Sequence, residues 1–145
     1  MIKQITPKNI YTYMSTLVPV TNVATIFSYK PNEDWVPDTA YMYFDCTNSN
    51  NTEFDNYWEA IRKCELNIYV VWPSNDPTRL DESVVDDVIN IIDEELITYI
   101  CDSIDQIDDV RIQNITSRRD SPMWYTNKNR PIKVKTYDIL YSARQ

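Results

Sequence analysis

Lys63–Trp72 reads KCELNIYVVW, and the alternation in this stretch decides the fold. Cys64, Leu66, Ile68, Val70 and Trp72 fall on one side of an extended chain, and Glu65, Asn67 and Tyr69 fall on the other. A period of two predicts a strand with one buried face. That face needs an apolar element to lie against it. After the turn-forming Pro73–Thr78 (PSNDPT), the stretch Leu80–Tyr99 provides one. Val84, Val85, Val88, Ile89, Ile92 and Leu96, with Ile100 just beyond, make a wide helical stripe. Asp86, Asp87, Asp93 and Glu94 are expected on its solvent side. Asp81 and Glu82 sit in its first turn, where the helix dipole favours carboxylates.

Working outward toward the N-terminus, Ala40–Thr47 alternates in the same way. Met42, Phe44 and Cys46 share one face, and Tyr41, Tyr43 and Asp45 share the other. Val23–Tyr29 is β-branched and aromatic and reads as a strand. Pro31–Asp38 (PNEDWVPD) is a polar loop with an exposed Trp35, and Asn48–Asn56 is a second loop. Thr6-Pro7 marks a helix start, with Ile10, Met14, Leu17 and Val18 at helical spacing over about residues 7–17 and Pro19 ending the helix. Toward the C-terminus, Val110–Ile115 and Ile132–Tyr141 read as closing strands, joined by the arm Arg118–Arg130 (RRDSPMWYTNKNR). There is no βαβ alternation. Residues 1–145 are therefore expected to form one α+β domain. It would have an antiparallel or mixed sheet of about five strands, a long helix and a short N-terminal helix packed on it, and a long C-terminal hairpin arm.

Composition narrows the chemistry. The 145 residues contain no glycine and no histidine, but eleven tyrosines, four tryptophans and three phenylalanines. Without glycine, neither a P-loop nor a dinucleotide fingerprint is possible, because both need close backbone approach or positive φ. Without histidine, the commonest general base and the commonest zinc ligand are missing. Cys46, Cys64 and Cys101 are odd in number and widely spaced, which points to free buried thiols in a reducing cytoplasm. The opening MIKQITPKNIYTYM lacks the apolar run of a signal peptide, and no stretch approaches the roughly 20 apolar residues of a membrane span.

The net charge of −8 is segregated. Residues 1–75 carry −3, residues 76–109 carry −11 and residues 111–145 carry +6. One reading is a solvated acidic helix face. The other is self-complementarity, in which the acidic patch of one copy meets the basic arm of the next and steers head-to-tail association. The residues expected at such an interface are Asp86, Asp87, Asp93 and Glu94 on the acidic side. On the other are Arg111, Arg118, Arg119, Lys128 and Arg130, with the aromatics Trp35, Trp124 and Tyr125 as anchors.

Catalysis finds little support. A carboxylate nuclease would have to use Asp45 and Glu65, with Asn67 standing where a D…ExK site has lysine. Cys64 and Cys101 have no histidine to activate them, and a serine elbow needs glycine. The expectation is a protein that is not an enzyme, with no cofactor and no metal. A small acidic DNA-mimic inhibitor is a further reading, against which the basic C-terminal segment counts.

The C-terminal pattern is the most suggestive. Val110–Ile115 is followed by Arg118-Arg119-Asp120-Ser121-Pro122-Met123-Trp124-Tyr125 and then by Ile132–Ile139. This resembles the end of the tail-terminator and tail-completion proteins of long-tailed bacteriophages, where a long helix precedes a strand, an exposed loop and a last strand ending in an aromatic. The short first helix and the strands before the long helix follow the same order. The resemblance implies a virion protein forming a homo-oligomeric ring, commonly a hexamer, at the head–tail junction after assembly in the host cytoplasm. Its implied partners are the tail tube protein and the head–tail connector or neck protein, with DNA only as passing cargo and no membrane. A neck or head-completion protein of the same particle fits the same pattern.

Overall fold

The structure, a computed structural model, describes residues 5–22, 24–37, 39–48, 53–54, 60–72, 89–94, 110–118, 121–122, 124–126, 128 and 130–143. The elements run α1 (Pro7–Met14), α2 (Val18–Thr21), β1 (Thr25–Ile26), a 3-10 turn (Glu33–Trp35), β2 (Tyr41–Asn48), β3 (Glu53–Phe54) and β4 (Ala60–Val71). A helical stretch at 89–94, β5 (Val110–Ser117), β6 (Trp124–Tyr125) and β7 (Pro131–Ala143) complete the order. The class is mixed α+β. The strands join in one sheet of order β1-β2-β4-β7-β5, with β3 beside β4 and β6 beside β7. The sheet is mixed because β1 pairs parallel to β2, while the described pairings among the other strands are antiparallel.

Local chemistry explains the entry. Thr6 caps α1: its hydroxyl accepts from the Asn9 amide (3.3 Å), and the Asn9 side chain accepts from the Thr6 amide (2.9 Å). This reciprocal arrangement satisfies two otherwise orphaned donors. Ile10 and Met14 are buried, whereas Val18 is exposed, because the helix ends at Met14 rather than near residue 17. Pro19 does not stop it; it lies in the first turn of α2, where its missing N–H is harmless.

The main core lies on one face of the sheet. Met42 and Phe44 of β2, Cys64, Leu66, Ile68 and Val70 of β4, and Tyr137, Ile139 and Tyr141 of β7 pack beneath Ile10, Met14 and Val20 and beneath Ile89 and Ile92. Of the helix expected over 80–99, residues 89–94 are helical and the remainder falls outside the described residues. A register shift at β5 matters here. Ile112 stands opposite Tyr141 and Asn114 opposite Leu140, so Gln113 is an extra residue. The bulge turns both Ile112 and Ile115 to the core, although they are three positions apart.

The sheet's second face is not merely polar. Tyr41, Tyr43, Val71 and Ile132 form a separate buried cluster, flanked by Phe27, Val36 and Tyr69. β4 is thus covered on both faces at its C-terminal end. That is why the alternation of KCELNIYVVW breaks into Val70-Val71, the first valine facing the main core and the second the other side.

Candidate interaction face

The second face grades from apolar to charged along the strands. At one end Tyr43 and Tyr69, cross-strand neighbours, stack with ring centroids 4.6 Å apart and planes 7° apart. Tyr41 continues the row at 6.4 Å from Tyr43, and Phe27 meets Tyr41 edge-on at 5.8 Å. In the middle, Thr136 donates to the Asn67 side chain (2.7 Å). At the far end Arg118 makes a fork to Asp138 (2.7 and 2.6 Å) and also reaches Glu65 (3.1 Å), with Lys63 3.7 Å from Asp138.

Burial, reinforced by the neighbouring Tyr69, Tyr41 and Glu33, pushes the Tyr43 hydroxyl well above the ordinary tyrosine range. Tyr69 is raised by burial and by Asp45. Tyr41 is raised by burial too, against the opposing effect of Arg130. At the charged end the sign reverses: the hydrogen bonds from Arg118 hold the Asp138 carboxyl below its usual range.

Two hollows open on the aromatic end. One, of about 290 Å³, is lined by Lys30, Glu33, the tyrosine row and the β6 pair Trp124 and Tyr125. The other, of about 490 Å³, is lined by Tyr29, Lys30, Tyr43, Phe44, Asp45 and Tyr69. They share Lys30, Tyr43 and Tyr69 and so form one groove.

The expected interface residues divide accordingly. Trp35 is 83% exposed on the 3-10 turn, and Trp124 (41%) and Tyr125 (53%) wall the groove. Lys128 bonds Asp34 beside Trp35 (2.6 Å), which ties the hairpin to that turn. Arg130 is not a surface cation: it is 7% exposed. Its guanidinium donates to the carbonyls of Trp72 (3.0 Å), Pro37 (2.8 Å) and Thr39 (2.7 Å) and lies over the Tyr41 ring at 4.7 Å. Three loop carbonyls thus hold it inside.

Asp93 is a second correction. Instead of facing solvent, its carboxylate accepts from the Tyr137 hydroxyl and sits 3.7 Å from Lys135 Nζ. Tyr137 and Lys135 face the main core because β7 turns its odd-numbered residues there. Glu94, one residue on, is exposed. Arg111 lies on β5 opposite Ser142. Asp86, Asp87, Arg119 and Cys101 lie outside the described residues. The hairpin arm also departs from expectation. Arg118 and Ser121 donate their amides to Thr136 and Val134, β6 pairs with Pro131 and Ile132, and Thr126 donates to Arg130, so the described part hugs β7.

Asp45 and Glu65 share this face, but Glu65 is engaged by Arg118. Among the described residues no three His, Cys, Asp or Glu side chains converge as a metal site would need. Among them, too, no helix is long and apolar enough to cross a membrane. The tyrosine row was visible as a face of β2, whereas the groove was not, because Lys30, Tyr69 and Trp124 come from separate elements. No protein-family model matches the chain, and no curated protein aligns with it at significance.

Proposed function

We propose that this chain is a non-catalytic assembly subunit of the tail-terminator type, forming a ring at the head-proximal end of a phage tail tube. The ring would end tube polymerisation and dock the head connector. The observation that carries the assembly reading is the gathering of exposed aromatics. Tyr29, Trp124 and Tyr125, three of the seven large apolar side chains exposed among the described residues, line hollows on one sheet face, and Trp35 is exposed on the 3-10 turn whose Glu33 lines one of them. Tryptophan and tyrosine anchors of this kind carry most of the binding energy at protein interfaces. The tail-end role rests on the resemblance of the C-terminal segment and on the order of elements.

Charge enters differently from a simple acidic-helix-to-basic-arm match. Arg118, Lys128 and Arg130 are engaged within the subunit and help to shape this face, and Lys135 is engaged with Asp93 on the opposite, core side of the sheet. Light scattering on the purified protein at low and high salt, with and without tail tubes, tests the reading. A closed oligomer, alone or on tube tips, is the expected result. Trp35→Ser should leave thermal unfolding unchanged and weaken assembly by roughly thirtyfold, the effect of losing an anchor worth about 2 kcal/mol. Labelled protein found anywhere on particles but the head–tail junction would sink the tail-end assignment.

A further inference from the structure

The outer edge of β5 presents unpaired backbone. Arg118 donates its amide to the Thr136 carbonyl, and the same register sets Thr116 opposite Asp138 and Asn114 opposite Leu140. Antiparallel bonds alternate along a strand, so Asn114, Thr116 and Arg118 turn their N–H and C=O groups toward β7. Ile115 and Ser117 turn theirs the other way, beyond the last strand of the sheet order. Among the described residues neither has a backbone partner on that side. Asn114, Thr116, Ser117 and Arg118 are exposed and Ile115 is half-buried, so this edge is open to solvent.

Sheet edges that stay single are usually blocked by lysine, proline or a charge pointing into the sheet. Asn114–Ser117 (NITS) has none of these. The adjoining charge, Arg118, is held on the second face by Asp138 and Glu65. On the N-terminal side the bulge at Gln113 breaks the run, so an added strand has only Asn114–Arg118 to follow.

That short stretch is complementary to itself. Paired antiparallel about a two-fold axis at Thr116, Ile115 meets the partner's Ser117 and Ser117 meets the partner's Ile115. All the outward N–H and C=O groups of these residues are then used, in four hydrogen bonds with none left over. Thr116 faces the partner's Thr116 at a close, non-hydrogen-bonded position, which is a favourable cross-strand pair. Asn114 faces the partner's Arg118, so no like charges oppose. The far edge of the sheet cannot take this place in a second copy. There the Thr25 and Phe27 amides bond Ala40 and Met42, which leaves only Ile26 of β1 turned outward.

We propose that β5 is a homotypic docking edge, at which two copies of this chain pair their Asn114–Arg118 stretches antiparallel and join two sheets into one. The inference goes beyond the tail-end reading and does not rest on the aromatic face. So short a contact makes a small interface, and a weak pair with a Kd on the order of 100 µM is expected.

Sedimentation velocity on the full chain, from about 5 µM to about 1 mM, should show a monomer giving way to a dimer. Ser117→Pro removes an outward N–H without touching a bond to β7. It should leave thermal unfolding in place and weaken dimerisation by at least about tenfold. Register is read with Thr116→Cys and Asn114→Cys, each in a Cys101→Ser background, under oxidised glutathione. Thr116→Cys should form disulfide-linked dimers at least about tenfold faster than Asn114→Cys, because only residue 116 faces its own copy. This comparison stands even where Ser117→Pro fails to fold.

A monomer throughout the range, a dimer unmoved by a folded Ser117→Pro chain, or equal cross-linking at 114 and 116 would each overturn the proposal. So would a monomer that captures tail tubes through this edge and loses them in Ser117→Pro, since the occupant is then a different protein. Trp35→Ser should leave the pair intact while weakening assembly, so failure of either reading is seen without the other.

Discussion

Tyr137 on β7 donates its hydroxyl proton to the Asp93 carboxylate on the 89–94 helix. That bond joins the acidic segment of the chain to its basic segment within one subunit, and Lys135 approaches the other carboxylate oxygen at 3.7 Å. The two groups are partly buried, so the contact acts in a medium where unpaired charge is costly. The charge segregation in the sequence is therefore, at this point, a device for docking a helix onto a sheet.

Replacing Tyr137 by Phe should lower stability by about 1–2 kcal/mol, the usual cost of removing a hydrogen bond to a charged group. Asp93→Ala should cost more than this, because Lys135 then also loses a counter-charge. Urea denaturation of the two single variants and the double variant checks both statements, and the double variant should be less destabilised than the sum.

Arg130→Lys should destabilise the protein almost as much as Arg130→Ala, by about 2–3 kcal/mol for either. A lysine ammonium cannot fork to the carbonyls of Trp72, Pro37 and Thr39 or lie flat on Tyr41. Hydrogen exchange should speed up first at Thr25 and Phe27, whose amides bond Ala40 and Met42 beside the loop that Arg130 holds.

Alkaline unfolding should begin from about pH 10, the unperturbed tyrosine value. Burial raises Tyr41, Tyr43, Tyr69 and Tyr141 in the folded state. Their contribution is thus complete below the unfolded value and is lost as pH rises toward the folded one. Tyrosinate absorbance followed with circular dichroism should show these rings ionising only as the fold is lost.

On the acid side the sign is opposite. Asp138 is depressed chiefly by the hydrogen bonds from Arg118, so its contribution is present above about pH 3.9 and disappears as pH falls through the folded value. Arg118→Gln should flatten this part of the stability–pH curve. Arg118→Glu should do worse, since it sets a third carboxylate beside Glu65 and Asp138 and disturbs the sheet as well as any interface.

Cys46 and Cys64 should resist alkylation in the native protein at neutral pH and react rapidly in denaturant. The hydrogen bond between the two thiols, and then burial, push the Cys46 thiol well above its ordinary value, which starves it of thiolate. A timed reaction with a thiol reagent, with Cys101 replaced by Ser, reads this directly.

Much was decided by the sequence itself. The alternation in β2 and β4, the Thr6-Pro7 helix start and the α+β class follow from side-chain periodicity and capping chemistry, which act over a few residues. The tyrosine face of β2 was legible for the same reason. Tertiary structure alone decided where long-range partners lie. It turned the lysine side of β7 toward the core, where Asp93 meets Lys135, and drew Arg130 inward to loop carbonyls that sit 58, 91 and 93 residues away. It also bent β5 at Gln113 so that Ile112 and Ile115 share a face, and it brought Lys30, Tyr69 and Trp124 to one groove. Periodicity says which residues share a side of an element. Which element that side meets depends on packing between segments far apart in the chain, and no local pattern encodes it.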